Sequence, residues 1–592
     1  MSFAIITVLI ITVLAIISFA TEIIPADVTA LCVMVVLMLT GIVTPEEGLS
    51  GFSNVATITV FALLVLSLGL QSTGVVNYMG EQLERITGES ELKILLLTLI
   101  LVAFLSAFMN NTAIVAIFLP IVMRLSKYAN ASASKFLMPL SFAAMIGGSC
   151  TIIGTSTNIL ISSVYTKQFG KTFSIFEFTG LGFIVFLAFL VYILLVGRRI
   201  IPERRKDAPV LTEEYDLNKY LTQIEVRRDS SMIGKPLKET ELVKRYKVKV
   251  LEIIREEGDV WLPNQVEAIR ANDLLLIKAN LDDLLELQEG KDIKIKKTSK
   301  FDNAELTSEE AVLFEAVIGQ NSFLVGKVIK DVNFRQAFGA IPLALRRSGV
   351  SVSKRISEVE IQFGDVLLLE ARRTHLDNFY NSRDFIVLEK VKKKNLRHSK
   401  MLLSTIIVLG VIVLAALNVL PIVVASLTGV VLLLITECVS IRYIYRKMDW
   451  RVIFLLAGIL PLGTAVQNTG ASELISEGIL YLAGDSSPRF IISILFLITT
   501  ILTSFMSNNA TAVLLAPIAI TIAQQLHLDP RAFLVTVMFA ASTSFATPIG
   551  YQTNTLVYGV GQYTFMDFIK VGGLLTLIVW LLATWLIPIF YL

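Results

Sequence analysis

Apolar runs long enough to cross a lipid bilayer make up much of this 592-residue sequence. A hydrocarbon core about 30 Å thick is crossed by a helix of roughly 20 apolar residues. The sequence therefore predicts a polytopic all-α membrane protein and excludes an ordinary soluble globular protein. The predicted spans lie near 3–20, 27–42, 55–73, 134–153, 175–197, 401–418, 421–437, 452–469, 531–549 and 566–591.

Charged side chains are concentrated between the two groups of spans. Residues 201–400 hold 69 of the 101 Lys, Arg, Asp and Glu side chains, 36 of them basic and 33 acidic. A soluble insert thus separates membrane segments 1–202 and 400–592, and its balanced charge offers no face to nucleic acid. Because basic residues cluster at both ends of the insert, the positive-inside rule predicts a cell-membrane protein with residues 203–399 in the cytoplasm.

The membrane segments repeat each other at a spacing of 396 or 397 residues. Gln71-Ser-Thr-Gly74 matches Gln467-Asn-Thr-Gly470, and Met109-Asn-Asn-Thr-Ala matches Met506-Ser-Asn-Asn-Ala. Several matches in the same order indicate duplicated halves. Such halves, usually inverted relative to each other with a site at their interface, are typical of secondary transporters.

Two apolar stretches, 92–122 and 488–525, are too long for one span and are interrupted by polar clusters. The interruptions are Asn110-Asn111-Thr112 and Ser507-Asn508-Asn509. We predict two re-entrant hairpins with these clusters at their tips. Irregular backbone at membrane depth is tolerated only where it is buried in protein or lines a cavity, so the tips are the candidate site.

The candidate site offers neutral hydroxyl and amide groups. Sodium is held by such oxygens and by the carbonyls at broken helix ends, whereas helix N-termini suit an anion. Single Ser and Thr residues often only join membrane helices, but matched polar clusters that occur twice favour a binding site. The side chains are Ser106, Asn110, Asn111, Thr112, Thr155, Ser156, Thr157, Asn158, Thr503, Ser507, Asn508, Asn509, Tyr551, Gln552, Thr553 and Asn554.

Cationic side chains are missing beside both tips in the sequence. An uncompensated charge at the bilayer centre costs several kcal/mol. An anionic substrate would therefore need helix N-termini and co-bound cations, which predicts sodium coupling. Proton coupling stays an alternative, through the acidic residues Glu22, Asp27, Glu177, Glu437 and Asp567.

Enzyme and metalloprotein chemistry find no support in the sequence. The three cysteines lie far apart in apolar stretches, and the three histidines are not spaced as metal ligands. We expect no catalytic residues and no organic cofactor. A channel is a further alternative, but the chain has no filter such as Thr-Val-Gly-Tyr-Gly.

The insert is itself duplicated, with a period of 92 residues. Arg255 matches Arg347, and Asn272-Asp273 matches Gly364-Asp365, each pair followed by an apolar strand. Each copy reads as short strands around one helix. We predict two compact α+β domains at 220–290 and 310–390.

The paired Asn-rich tips resemble the signatures of the divalent anion/sodium symporter family of the ion transporter superfamily. The phrases Gly154-Thr-Ser-Thr-Asn158 and Gly550-Tyr-Gln-Thr-Asn554 resemble the sulfate-permease branch, whose two central domains are similar to TrkA-C domains. The resemblance implies a homodimeric, elevator-type transporter in the lipid bilayer. It also implies that the TrkA-C-like domains pair the protomers or bind a small regulatory ligand such as a nucleotide.

The resemblance further implies where ligands bind. A small anionic substrate would lie near Asn111, Thr112, Thr155, Asn508 and Asn509. One sodium ion would use Ser106, Asn110, Asn111 and the backbone around Gly154. A second sodium ion would use Thr503, Asn508 and the backbone around Met506 and Gly550.

The expected function is sodium-coupled symport of a small divalent oxyanion, with sulfate first. In dicarboxylate carriers of the family a Pro-Pro-Asn phrase stands where this chain has Ser-Thr-Asn158 and Gln-Thr-Asn554. That difference weakens a dicarboxylate assignment. The alternatives are a sodium/dicarboxylate symporter, a sodium/proton antiporter and, from another class, a ligand-gated ion channel.

Overall fold

The structure is a computed structural model. It describes residues 3–21, 24–204, 221–240, 242, 249–255, 260–261, 267–278, 293–295, 311–319, 322–332, 334–347, 350–352, 356–372, 376, 379, 382, 384–388, 398–417, 419–483, 487–504 and 507–592.

The first membrane segment is helical, with short turns between the helices. Within the described residues its helices are α1 (Phe3–Thr21), α2 (Ala26–Leu39), α3 (Pro45–Leu49), α4 (Val55–Thr73), α5 (Val75–Thr87), α6 (Glu91–Ser106), α7 (Asn111–Tyr128), α8 (Ser134–Ser149), α9 (Ser156–Phe169) and α10 (Thr179–Tyr192). A π-helical turn, Ile193–Gly197, continues α10 to Ile200.

The second membrane segment repeats this order of helices. The helix of the insert, α11 (Phe334–Phe338), precedes α12 (His398–Ala416), α13 (Ile422–Ile435), α14 (Ile441–Lys447), α15 (Trp450–Asn468), α16 (Ala471–Ala483), α17 (Pro488–Thr503), α18 (Asn508–Gln525), α19 (Pro530–Ala541), α20 (Gln552–Val560) and α21 (Phe565–Tyr591). Helices α1 to α9 begin 395–397 residues before α12 to α20. The repeat in the sequence is therefore a repeat of secondary structure.

Four described helices are long and apolar enough to cross a membrane: Val55–Thr73, Thr179–Ile200, Trp450–Asn468 and Phe565–Tyr591. Six shorter apolar helices accompany them, among them α2, α13, α17 and α19. The many exposed Leu, Ile, Val and Phe side chains of these helices face outward, where lipid would cover them. The chain is a multi-pass membrane protein.

Glycines let the helices approach each other closely. A Cβ added at Gly147 of α8 would overlap the carbonyl oxygen of Ala103 in α6. A Cβ added at Gly458 of α15 would lie 2.8 Å from the carbonyl carbon of Ala30 in α2. Small residues allow such contact where lipid leaves no hydrophobic drive between helices.

Two predicted spans are longer than the helices that the structure shows. The run 134–153 is helical only to Ser149 and the next helix begins at Ser156, and the run 531–549 is helical only to Ala541 and the next helix begins at Gln552. The intervening loops contain apolar residues such as Ile152 and Phe545, so hydropathy alone does not reveal the breaks. Backbone hydrogen bonds are nevertheless lost there, which leaves polar groups inside the membrane part.

Within its described residues the insert contains two five-stranded antiparallel sheets. Their strands are β1 (Leu221–Val226), β2 (Lys249–Ile254), β3 (Val260–Trp261), β4 (Leu274–Lys278), β5 (Ile293–Ile295), β6 (Ala311–Ile318), β7 (Ala340–Arg347), β8 (Val350–Ser351), β9 (Val366–Arg372) and β10 (Phe385–Val387). The orders are β3-β2-β4-β1-β5 and β10-β6-β9-β7-β8. Because β5 pairs with β1, the first unit extends past the predicted boundary at residue 290.

Each sheet contains an Arg–Asp ion pair, and the two pairs lie at matched positions of the two copies. Arg255 donates from Nε and Nη2 to Asp273 at 2.7 and 2.8 Å, and Arg347 donates to Asp365 at 2.8 and 2.7 Å. Burial raises the pKa of the Asp365 carboxyl, while the bonds from Arg347 act in the opposite direction. These pairs hold the turns before β4 and β9, so Arg255 and Arg347 have a structural role.

Replacing Arg347 with methionine is expected to destabilise the second sheet by about 3 kcal/mol, because the buried Asp365 carboxylate loses its partner. Limited proteolysis of the full-length protein in detergent should show faster cleavage within residues 311–387. Arg227→Met is the control, because Arg227 pairs with Asp229 at the exposed surface. Equal cleavage rates in the two variants would contradict the structural role.

Candidate functional site

Four helices begin at one cavity between the two halves. The N-termini of α7, α9, α18 and α20 meet around a volume of about 130 Å³. The first N–H groups of a helix have no partner within the helix and carry partial positive charge. The lining residues are Val60, Leu63, Leu64, Phe108, Met109, Asn110, Asn111, Thr112, Ile153, Gly154, Thr155, Ser156, Thr157, Ile159, Val452, Ser507, Asn508, Asn509, Gly550, Tyr551 and Gln552.

The two tips are helix starts with N-capping side chains. Oδ1 of Asn110 accepts from the backbone N–H groups of Thr112 and Ala113 at 3.0 and 3.3 Å. Oγ of Ser507 accepts from the backbone N–H of Ala510 at 3.3 Å. The Asn110 oxygen that the resemblance assigns to sodium is therefore already engaged as a cap.

Hydrogen bonds join each tip to the opposite half. Oγ1 of Thr112 donates to Oε1 of Gln552 at 2.8 Å. The matched Asn509 accepts at Oδ1 from Ser156 at 2.9 Å and from Thr157 at 3.0 Å. The site is thus assembled from both halves, and neither half could form it alone.

The paired asparagines of the tips differ in their bonding. Nδ2 of Asn111 donates to the Tyr551 hydroxyl at 2.8 Å, and its Oδ1 is buried without a hydrogen-bond partner among the described residues. Oδ1 of Asn508 accepts from the Thr503 hydroxyl at 2.9 Å, and its Nδ2 is the buried atom without a partner. The buried atom without a partner is therefore an acceptor at the first tip and a donor at the second.

Backbone carbonyls converge at Gly154, where α6 and α8 end. A Cβ added at Gly154 would lie 2.5 Å from the Gly148 carbonyl oxygen and 2.7 Å from the Ser106 carbonyl oxygen. Three buried side-chain oxygens lie close by in the sequence and in the fold, and none has a hydrogen-bond partner among the described residues. They are Ser106 Oγ, Asn111 Oδ1 and Asn158 Oδ1. Hydroxyl, amide and carbonyl oxygens of this kind suit a hard cation.

The loop at Gly550, which matches the loop at Gly154, has the same hydrogen bond from its glycine N–H but fewer oxygens without a hydrogen-bond partner. Gly550 N donates to Thr547 Oγ1 at 3.1 Å, as Gly154 N donates to Thr151 Oγ1 at 3.1 Å. However, the Thr503 hydroxyl is already bonded to Asn508 Oδ1 and to the Ala541 carbonyl at 3.0 Å. The oxygens around Gly550 therefore already have hydrogen-bond partners to a greater extent than the oxygens around Gly154.

Charged side chains are absent from the cavity lining as the structure describes it. Four of the acidic residues considered for proton transfer do not line the cavity: Asp27, Glu177, Glu437 and Asp567. Asp567 pairs with Arg204 at 3.1 Å, Glu177 pairs with Arg531 at 3.6 Å, and Glu437 is exposed. Glu22 lies outside the described residues.

The predicted substrate residues Asn111, Thr112, Thr155, Asn508 and Asn509 all line the cavity. Of the residues assigned to sodium, Asn110, Gly154 and Gly550 also line it, and Ser106 and Thr503 are fully buried at the ends of α6 and α17. Met506 lies outside the described residues.

One wall of the cavity was not predicted. This wall consists of four apolar side chains that face the tips and lie outside the polar clusters. They are Val60, Leu63 and Leu64 of α4 and Val452 of α15. They are ordinary apolar residues of predicted spans, so no sequence signal distinguishes them. Within the described residues no group of His, Cys, Asp and Glu could hold a metal ion.

A family model described as a citrate transporter, CitMHS, matches residues 13–533 and 479–592. An uncharacterized transporter of Synechocystis is 41% identical, over 98% of this chain and 96% of the relative. An uncharacterized transporter of Escherichia coli is 31% identical, over 98% of this chain and 97% of the relative.

More distant relatives carry names that state a substrate. Sodium/sulfate cotransporter 1 of Chlamydomonas reinhardtii is 22% identical, over 90% of this chain and 83% of the relative. These matches span both membrane segments and the insert.

Proposed function

The chain belongs to the CitMHS citrate transporter family, which confirms a transporter rather than an enzyme, and from this premise we propose a sodium-coupled symporter of a small divalent oxyanion, sulfate first. The proposal rests on the cavity at the tips. Its carrying observation is that four helix N-termini converge on a pocket lined by neutral polar groups.

Helix N-termini and neutral donors favour an anion at this cavity. Backbone N–H groups at helix starts bind anions without a cationic side chain. At about half a charge each, four helix ends nominally match a dianion, but Asn110 and Ser507 already cap N–H groups at two of these ends. Co-bound sodium would provide the missing positive charge and couple uptake to the sodium gradient.

We call the oxygens around Gly154 the first cation corner and those around Gly550 the second cation corner. The first cation corner fits sodium better than the second. Ser106, Asn111 and Asn158 provide oxygens without partners, beside the carbonyls that converge on Gly154. At the second corner Thr503 and Asn508 would have to give up their mutual hydrogen bond. We therefore assign the stronger sodium site to the first corner.

The size of the site cavity is compatible with sulfate. An apolar cavity of about 150 Å³ is known to hold benzene, and this cavity measures about 130 Å³. Sulfate has fewer non-hydrogen atoms than benzene, whereas citrate has about twice as many. The relatives named sodium/sulfate cotransporters support the same choice, although the family description names citrate.

Alternating access would use the repeated helices. Halves in inverted topology, with broken helices meeting at a shared site, permit an elevator movement of the tip-bearing helices against α4 and α15. Our proposal includes a homodimer in the cell membrane. It also places the insert in the cytoplasm as two TrkA-C-like domains, which pair protomers or bind a small ligand such as a nucleotide.

The alternatives make different demands on the site. A sodium/proton antiporter needs a titrating carboxylate at the cavity, and the described lining has none. Dicarboxylate symporters of the family carry Pro-Pro-Asn where this chain has Ser-Thr-Asn158 and Gln-Thr-Asn554. A ligand-gated channel needs a continuous pore, whereas hydrogen bonds between the tips and the opposite halves cross the described site.

Uptake of radiolabelled sulfate into proteoliposomes tests the proposal. An inward sodium gradient should accelerate uptake, and excess thiosulfate should block it while succinate, citrate and chloride should not. Sodium-dependent succinate or citrate uptake instead would move the substrate to the carboxylates. Uptake that ignores the sodium gradient would contradict the charge-compensation argument.

A further inference from the structure

The second sheet unit of the insert, residues 311–388, packs against the membrane helices. Val317 and Val366 are fully buried, and together with Leu388 they belong to the same apolar cluster as the membrane helices. The described apolar residues of the first unit form a cluster of their own. The two copies of the insert are therefore used differently.

The turn before β9 touches helix α20 at close range. A Cβ added at Gly559 would lie 2.7 Å from the Gly364 carbonyl oxygen, and a Cβ added at Gly364 would lie 3.1 Å from Thr555 Cγ2. Gly364 also has a φ of +82°, which favours glycine. Helix α20 begins at the candidate site with Gln552, so this contact reaches a helix that builds the site.

The same unit also touches the segment that leads into α15. Nζ of Lys447 donates to the Ser382 carbonyl at 2.9 Å. Helix α15 contributes Val452 to the cavity wall opposite the tips. The unit thus bridges two groups of helices that alternating access would have to move relative to each other.

A second cavity of about 200 Å³ lies between the site and this unit. It shares Leu64, Asn110, Thr112 and Gln552 with the site cavity. On the far side it is lined by Gly319, Phe363 and Ile386 of the unit. Among the described residues, the polar cavity that includes Asn54 and Lys167 shares no lining residue with the site. The passage from the site thus leads toward the insert.

The first copy carries different residues at the matched positions. Ala271, Asn272 and Lys294 stand where the second copy has Phe363, Gly364 and Ile386. In the structure Ala271 and Asn272 are exposed, whereas Gly364 is buried and Phe363 is half-buried. The docking surface is therefore specific to the second copy, and the first copy serves as an internal reference.

We infer that the second sheet unit is an autoinhibitory plug. In the docked position it closes the passage between the site and the side of the insert. Undocking is required for the tip-bearing helices to move and for substrate to leave. This inference rests on the proposed function for its transport readout, and a second readout is independent of the substrate.

A disulfide between the plug and α20 tests the inference in the full-length protein. The three native cysteines, Cys32, Cys150 and Cys438, are first replaced by serine. In this background the pair Gly364→Cys and Thr555→Cys should form a disulfide on oxidation. Sodium-dependent sulfate uptake should then fall roughly tenfold or more, the range of a typical conformational coupling, and recover on reduction. The control pair Asn272→Cys with Thr555→Cys should not crosslink. Full transport by the crosslinked protein would overturn the plug.

Accessibility of the passage provides the readout that does not depend on substrate. Gln71 lines the passage cavity, so Gln71→Cys can be labelled by a hydrophilic maleimide. Phe363→Ala with Ile386→Lys, which copies the first unit, should raise the labelling rate roughly fivefold or more. An unchanged labelling rate would overturn the plug. Faster labelling without any sulfate uptake in the parent protein would instead reject only the proposed substrate.

Discussion

Replacing Asn111 with alanine is expected to lower sodium-dependent sulfate uptake about 100-fold, the upper range for losing a ligand-positioning group. Asn111 begins α7, donates to the Tyr551 hydroxyl and keeps a buried oxygen without a partner among the described residues. The substitution removes a proposed cation ligand and a bond between the halves at once. Uptake by purified protein in proteoliposomes measures the effect.

Asn77→Ala is the matched control for this variant. Asn77 lies on α5 and does not line the cavity. Both variants should reach the membrane at wild-type levels and elute as single species in detergent. Wild-type uptake by Asn111→Ala would remove the first tip from the mechanism, and equal loss in both variants would indicate a general defect.

Replacing Gly154 with alanine is expected to abolish uptake almost completely. The new Cβ would meet the Gly148 and Ser106 carbonyl oxygens at 2.5 and 2.7 Å, and both are backbone atoms that cannot rotate away. The carbonyls that converge on the first cation corner must therefore shift, and misplacement by about 1 Å costs roughly 100-fold in activity. The sodium concentration for half-maximal uptake should rise steeply in any residual activity.

Gly410→Ala is the control for the added methyl group. Gly410 lies in α12, where an added Cβ meets nothing within 4 Å, and alanine favours a helix over glycine. Uptake should be unchanged in this variant. Gly550→Ala should fall between the two, because its closest contact is the Thr547 hydroxyl at 2.6 Å, a side-chain atom that can rotate. Normal uptake by Gly154→Ala would contradict the cation assignment.

Much of the architecture could be predicted because it rests on periodic or repeated signals. The long apolar runs predicted spans that match α1, α4 and α21 closely. The polar interruptions at Asn110 and Ser507 marked the two helix starts at the tips, since their side chains cap orphan N–H groups. The repeat at 396 residues reappears in the helix order.

Other features depend on contacts that hydropathy does not record. The loops after Ser149 and Ala541 look like membrane helix in the sequence because their residues are largely apolar or small. The wall formed by Val60 and Val452 looks like any lipid-facing stretch in sequence. The docking of Gly364 against Thr555 depends on residues 191 positions apart, each unremarkable on its own.

Mutual dependence of sodium and sulfate binding tests the central claim most directly. Radiolabelled sulfate binding to the purified protein, measured across a range of sodium concentrations, should tighten as sodium rises. Sulfate should raise the affinity for sodium by the same factor, because the coupling free energy between two sites is reciprocal. Gly154→Ala should remove this coupling while Gly410→Ala keeps it. Sulfate binding of equal strength with and without sodium would contradict a site in which the cation compensates the anion.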